Sequence, residues 1–402
     1  MKHIHELRNS IQTYAWGSHT AIATLLGEPA PSETPQAELW MGAHPKAPSL
    51  IQVDNALRPL PDLIEKYPVA ILGKRIAETF GHQLPFLFKV LAAEAPLSIQ
   101  AHPNACQAAT GYARENARGI PLDAPRRNYR DDRHKPECIC ALTPFQGLCG
   151  FRKIPEIAAL LQRICPQTLR RALHELKARP DATGLRAFFQ SMMTLAKEDV
   201  AGVIEEAVTR TRALKNEDEA FEWILKLEAA YPNDIGVIFP AILNLVCLQP
   251  GEALFLAAGE LHAYLHGVGI EIMANSDNVL RGGLTPKHVD VPELMNVLTF
   301  QERRIDVLLP EACRPHEKYY RTPATEFVLS VIALGRDDVY EGPAERSAEI
   351  LLMTEGKAEL FDGSSGKHME MQQGMSVIVP AAVTQYRIHG EGVVYKASVP
   401  LV

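Results

Sequence analysis

No apolar run in this 402-residue sequence reaches the ~18 residues that a membrane-crossing helix needs, so no such span is expected. The opening residues, Met1-Lys2-His3-Ile4-His5-Glu6-Leu7, lack the apolar stretch of a signal peptide, and none is expected. Positive charge is not in excess either. Lys and Arg number 41 against 48 Asp and Glu, a formal net charge of −7, which argues against nucleic acid or a membrane surface as partner. That balance does not bar an anionic substrate, because a few cations set the sign inside a cleft. Cysteine is sparse and odd in number, seven in all, without the paired spacing of a disulfide framework. A reducing, cytoplasmic setting is therefore the expectation. Cys138 and Cys140 form one close pair, but no second cluster accompanies them, and in a strand both face away from Glu137. Core packing is their expected role.

What is present is ordinary globular material: 47% hydrophobic and 22% charged residues, over a length that suggests two or three domains. Residues 8–53 are turn-rich, with short strands expected at residues 14–18 (YAWGS) and 38–45 (ELWMGAHP). Residues 61–80 read as helical, with Leu63, Ile64, Ile71, Leu72 and Ile76 as an apolar stripe. Residues 84–91 (LPFLFKVL) read as a buried strand, within which Lys89 needs an anionic partner or ligand. The polar, Arg-rich residues 111–133 read as a surface excursion with a short helix. From residue 154 to about 231 the period becomes helical, as in Ile157, Leu160, Leu161 and Ile164, with breaks at 180–184 and 216–218. Four or five helices are expected there, as scaffold or lid. Strand texture returns at Gly236. Residues 325–402 read as strands with turns at Asp362-Gly363, Gln373-Gly374 and His389-Gly390, a second β-domain without chemistry.

The chemistry concentrates in three short stretches. Residues 91–102 read as a strand that alternates toward its end, which Pro103 stops. Successive side chains point to opposite faces, so Ser98, Gln100 and His102 share one face and Leu97, Ile99 and Ala101 the other. Residues 137–142 are another strand-like run, with Lys135 and Glu137 on a common face. Together they can bring an amide oxygen, an imidazole and a carboxylate to one point, a metal site lacking one ligand. Residues 254–264 supply a candidate: an apolar strand, a Gly turn, then a run that places Glu260, His262 and Tyr264 on one face. Two histidines, a carboxylate and a neutral oxygen suit zinc in a catalytic rather than a structural site.

Beyond His262, residues 269–287 crowd Asn, Ser, Asp, Arg, Thr and Lys beside Gly. Arg281 and Lys287 have small or turn-forming neighbours, so a phosphate could approach the backbone and be gripped there. Glu271 and Asp277 offer acid/base or sugar-hydroxyl contacts. The plainer alternative is a polar loop held by its own hydrogen bonds.

Taken with residues 84–91, 97–103 (LSIQAHP), 134–137 (HKPE), 261–265 (LHAYL), 275–281 (NSDNVLR) and 284–287 (LTPK), the 14–18 and 38–45 motifs make the chain closely resemble the type I phosphomannose isomerases, zinc enzymes of the cupin superfamily. The motifs keep that family's order and approximate spacing. The resemblance implies one zinc ion on Gln100, His102, Glu137 and His262, the four residues that the strand reading selects. It implies a substrate pocket including Ser98, Lys135, Glu271, Tyr264, Arg281 and Lys287, and a phosphorylated hexose as substrate. The reaction implied moves a proton between C1 and C2 through a cis-enediol. Arg281 then stabilises charge, Ser98 or Lys287 holds phosphate, and Glu271, Asp277, His134 and Lys135 are the acid/base candidates, with Glu271 or Lys135 favoured. The fold implied is mainly β with an α insertion: two cupin-like β-barrel or jelly-roll domains plus an all-helical one. The expected division is a catalytic unit of 1–152 and 236–312, a helical insertion of 153–235 and a C-terminal unit of 313–402, as a monomer. Two rivals stand beside this reading. His102, Glu137 and His262 alone would suit an Fe(II) oxygenase, and a sugar-binding cupin without turnover would use the same pocket.

Overall fold

The computed structural model describes residues 1–401. Among these residues the strands form a ten-stranded sheet, a nine-stranded sheet and a small two-stranded ribbon. Pairing leaves the sheets open, with no closed barrel among the described residues, and the fold is mainly β with a helical insertion. No helix is long and apolar enough to cross a membrane.

The ten-stranded sheet is built around Phe86–Ala93, whose eight residues are all buried, as a run rich in Phe, Leu and Val demands. It pairs with Glu38–Gly42 on one side and with His262–Ala274 on the other. The His262–Ala274 strand serves two neighbourhoods. Its first residues pair with Phe145–Phe151 and Ile99–Ala101, and its second half pairs with Phe86–Ala93 and Glu137–Ala141. The change of partner falls at Gly267, where φ is +123° and a Cβ would sit 2.7 Å from the Pro144 carbonyl oxygen. Only glycine meets both conditions without strain.

Five α-helices, Ile154–Ile164, Arg170–Ala178, Ala182–Met193, Lys197–Arg212 and Glu219–Ala230, follow the 3.6-residue period read from the sequence. Asp181 and Asp218 cap two of them by accepting backbone N–H bonds. Their apolar faces share one core with Ile99, Ala101, Leu261, Ala263 and Leu265. The helices thus back the strands whose other faces carry Gln100 and His262.

Other expectations are corrected. Residues 14–18 form no strand, only isolated bridges at Gly17 and Ser18; a Cβ on Gly17 would lie 2.5 Å from the Ala37 nitrogen, so this segment lies on its neighbour's backbone. Residues 91–102 are two strands rather than one, because Phe86–Ala93 ends before a bend and Ile99–Ala101 begins anew. The helical 61–80 segment is three short helices, broken at Tyr67-Pro68 and at Gly73, whose φ is +87°. The helix expected within 111–133 lies mostly before it: Ala105–Ala117, started by an Asn104–Gln107 capping box, reaches only the first residues of that segment. The supposed surface excursion buries Glu115, Arg127 and Tyr129. In the nine-stranded sheet the turns at Gly363 and Gly374 are present, but His389-Gly390 lies inside the Tyr386–Ser398 strand. There glycine permits close approach, since a Cβ on Gly390 would meet the Lys357 carbonyl oxygen at 2.7 Å. His5–Glu6 pairs with Ser376–Val379, so the start of the chain joins the C-terminal sheet.

Cys138 and Cys140 are packed in the core, as their strand phase implies. The C-terminal sheet does contain buried charge. Lys396 Nζ lies 2.6 Å from Glu317 Oε1 and 3.2 Å from Glu349 Oε1, while Tyr340 and Tyr386 donate to those carboxylates at 2.7 and 2.8 Å. Each charge is answered internally. Lys396→Met leaves Glu349 without its cation and Glu317 with Arg314 alone, and should destabilise the chain by about 3–5 kcal/mol. Chemical denaturation followed by circular dichroism reads this directly, and an unchanged midpoint would contradict it.

Candidate metal centre

Ile99–Ala101 is only three residues long, yet it sets the site. Ile99 and Ala101 are fully buried in the core shared with the helices, which turns Gln100 to the opposite face. Gln100 pairs directly with His262 on one side and with Arg281 on the other. Directly opposed residues project to the same face, so His262, Gln100 and Arg281 stand in one cross-strand row. His102 follows two residues after Gln100, and its carbonyl accepts the Gly259 N–H at 2.8 Å, tying it to the turn before His262. Glu137 opens the Glu137–Ala141 strand, paired with Leu256 and Met273.

His102, Glu137 and His262 converge with ligand atoms all within 4.8 Å of one another, and each residue is only 1% exposed. His102 Nδ1 lies 2.7 Å from the Asn278 carbonyl oxygen and His262 Nδ1 lies 3.1 Å from that of Glu260. A carbonyl only accepts, so both imidazoles carry a proton on Nδ1, and in the neutral ring Nε2 is then the lone-pair nitrogen. Those Nε2 atoms face Glu137 Oε1 and Oε2 at 3.3 Å each. Neither contact is a hydrogen bond, and His102 Nε2, His262 Nε2 and Glu137 Oε2 are buried without any partner. Protonation does not supply the missing charge at neutral pH: burial is the largest influence on His102 and, despite Glu137, takes its pKa down to about 4. Burial favours a neutral Glu137, but Lys135 and His102 outweigh it and hold the carboxyl well below its usual range. Three inward-facing acceptors around one point fit a divalent cation, and the orienting bonds on Nδ1 are those that metal-bound histidines use.

The surroundings sort the other residues. Lys135 is buried, its Nζ 2.8 Å from Glu137 Oε1. Glu271 accepts from Lys89 Nζ at 2.8 Å and from the Tyr264 hydroxyl at 2.9 Å. Glu38 lies 3.7 Å from the same ammonium and accepts the Trp40 indole N–H at 2.6 Å. Burial opposes the Lys89 charge, but Glu271 and Glu38 outweigh it and raise its pKa above the ordinary value. Lys89 thus has the anionic partners that its strand position demands. Asp277 turns to Lys46 at 2.8 Å and to His44 at 3.6 Å; against the effect of burial, these hold it well below the usual carboxylate range. His134 spends its Nε2 on Glu326, 2.6 Å away, rather than on a member of the cluster. Glu260 pairs with Arg303 and contributes to the centre through its carbonyl. Ser98 is half-buried just before the Ile99–Ala101 strand, with no hydrogen bond from its hydroxyl.

On the far side of the row is a patch of uncompensated positive charge. Arg281 is half-buried with Arg130 as its charged neighbour, and the exposed Lys287 has Arg281 and Arg130 as its own. Burial, followed by these like charges, lowers the pKa of both Arg281 and Lys287. Such a group is suited to a multiply charged anion. The roles of Arg130, Glu38 and Lys46 come from strand and loop contacts across the fold, and no local spacing in the sequence signals them.

Residues 4–154 match the type I phosphomannose isomerase catalytic domain, and residues 160–243 match the helical insertion domain of that family. The mannose-6-phosphate isomerase of Escherichia coli strain K12 is 41% identical over 96% of this chain and 97% of its own length. The human mannose-6-phosphate isomerase is 36% identical, with 92% of each chain covered. A zinc-bound crystal structure of mannose 6-phosphate isomerase superposes with a TM-score of 0.90 at 39% identity, covering 99% of this chain and all of the other. With its buried trio backed by a helical insertion, and with this likeness along nearly its whole length, the chain belongs to the type I phosphomannose isomerase family.

Proposed function

We propose that this chain interconverts D-mannose 6-phosphate and D-fructose 6-phosphate at a single zinc ion held by Gln100, His102, Glu137 and His262. The observation that carries the reading is the set of partnerless Nε2 and carboxylate atoms, with Arg281 one pairing step from Gln100. The isomerisation passes a proton between C2 and C1 through a cis-enediol, and the costly species is the one whose oxygens gain negative charge. Zinc, when bound, acts as a Lewis acid toward such oxygens. Arg281 adds a fixed positive charge near them. Lys287, with Ser98, holds the phosphate at the cationic end. Glu271 has both oxygens engaged, by Lys89 and Tyr264, which suits it to gripping a sugar hydroxyl in a fixed orientation. Lys135, beside Glu137, is the proton carrier in this reading. Asp277 and His134, each committed to a partner, orient the rim. The two open sheets are read as cupin-like jelly rolls, because long strands switch partners midway as at Gly267. The catalytic unit is taken as residues 1–152 with 236–312, the insertion as 153–235 and the C-terminal unit as 313–402. Seven cysteines without a disulfide suit a cytoplasmic setting, and a monomer is part of the same proposal.

A coupled assay should detect fructose 6-phosphate from mannose 6-phosphate, lose that activity on chelation and regain it with zinc. Turnover that instead requires Fe(II) and O₂ would restore the oxygenase rival, and a zinc-loaded protein without turnover would restore the binding rival.

Arg281→Ala should lower kcat by about 10²–10³-fold while bound zinc, measured by atomic absorption, stays near the wild-type amount. An equal loss of zinc would show Arg281 serving the metal site instead.

Stability of the metal-free chain should depend on pH through His102. Unfolded, the imidazole titrates near its ordinary value of about 6.5; folded, it titrates near about 4. The unfolded chain therefore takes up the proton first, and the stability present above about pH 6.5 drains away as pH falls toward 4. Calorimetric Tm against pH should show a shallower fall for His102→Gln than for the wild type across that window; parallel profiles would refute the assignment.

A further inference from the structure

We propose that Asn278 is a positioning residue for both halves of the site: it orients His102 toward the metal position and holds Arg130 in place as a third cation for the substrate's phosphate. This rests on the function proposed above.

Asn278 is fully buried beside a segment with no regular secondary structure. Its side-chain Oδ1 accepts from the backbone N–H of Arg130 at 2.7 Å and of Asp131 at 3.2 Å. Its Nδ2 donates to the carbonyls of Asp131 at 2.9 Å and Arg133 at 2.8 Å. A primary amide offers two donors and two acceptor positions, and this one uses them all on a single four-residue stretch. The amide stands in for the ladder that a neighbouring strand would otherwise supply. Asp131 reciprocates, accepting from the Ser276 hydroxyl and the Asp277 N–H at 2.8 Å each. The Asn278 main chain then makes the connection to the metal centre, because its carbonyl accepts the His102 Nδ1 proton at 2.7 Å.

One residue thereby joins three things that the sequence keeps apart. His102 is oriented by its backbone, and the 130–133 stretch leading into Lys135 and Glu137 is clamped by its side chain. The Arg130 guanidinium is brought near Arg281, which follows Asn278 by three residues. Arg130 is half-buried, and the three neighbouring cations set a local positive potential that draws an anion. Aspartate cannot replace the amide, because its second oxygen would face the Asp131 and Arg133 carbonyls, acceptor against acceptor.

The test uses the zinc-loaded full-length chain and three readouts: zinc retention against a competing chelator, inorganic phosphate binding by calorimetry, and steady-state kinetics. Asn278→Ala should release zinc about 10–100-fold more readily and should also weaken phosphate binding and raise KM. Arg130→Ala should weaken phosphate binding about tenfold or more and raise KM alike, with kcat changed less and zinc retention unchanged. If Asn278→Ala fails to fold, Asn278→Asp, which keeps the shape and both accepted bonds, should show the same paired loss. Unchanged zinc retention in a folded Asn278 variant overturns the proposal, as does unchanged phosphate binding in Arg130→Ala. Absence of turnover in the wild type would sink the isomerase reading instead, while zinc retention and phosphate binding would still decide this one.

Discussion

Two imidazoles aim their Nε2 atoms at the two oxygens of one carboxylate, deep inside the protein. These Nε2 atoms lie 3.3 Å from the carboxylate oxygens and, with Glu137 Oε2, are buried without a hydrogen-bond partner, an arrangement that a cation between them completes. Everything around the three residues holds that arrangement in place. The Asn278 and Glu260 carbonyls set the ring protons, Ile99 and Ala101 anchor the short central strand, and the helical insertion packs behind it. Favourable free energy from the apolar core is used to preorganise a polar cavity, which is how a metal-binding fold stays ready for its ion.

The same economy explains the separation of charge. Glu271, Glu38 and Lys89 are tied to one another and to Tyr264 and Trp40. Arg281, Arg130 and Lys287 form a separate group, without an ion pair among the described residues. A ligand with a polyhydroxyl end and a doubly charged end matches that division, and would be bound in one orientation. The buried charges of the C-terminal sheet differ in kind: Lys396 is shared by Glu317 and Glu349, and Arg314 also pairs with Glu317, so these charges are tied to one another.

The metal ligands were legible because strand alternation is a local rule. Gln100 and His102 share a face whatever the rest of the chain does, and His262 starts a strand whose apolar residues fix its phase. Helical periodicity in 154–231 is equally local, since Ile157, Leu161 and Ile164 must all reach one core. What could not be read depends on contacts between distant segments. Residues 14–18 have strand-like composition, but Gly17 lies against the Ala37 backbone, leaving only bridges. His389-Gly390 has the composition of a turn, but its glycine allows two long strands to approach closely. Arg130 and Asn278 look like members of polar loops, and the plainer reading of residues 275–278 as an internally bonded loop is partly right. It describes Ser276 and Asn278 well. It does not describe Arg281 and Lys287, which no carboxylate among the described residues answers.

The central claim concerns which atoms surround the ion. Zinc K-edge X-ray absorption on the loaded protein examines them without reference to turnover. The account predicts a shell of nitrogen and oxygen only, with the imidazole distances at about 2.0–2.1 Å and an outer-shell signature of two histidines. A sulfur shell at about 2.3 Å, or a spectrum left unaltered by His102→Gln, would place the metal elsewhere and contradict it.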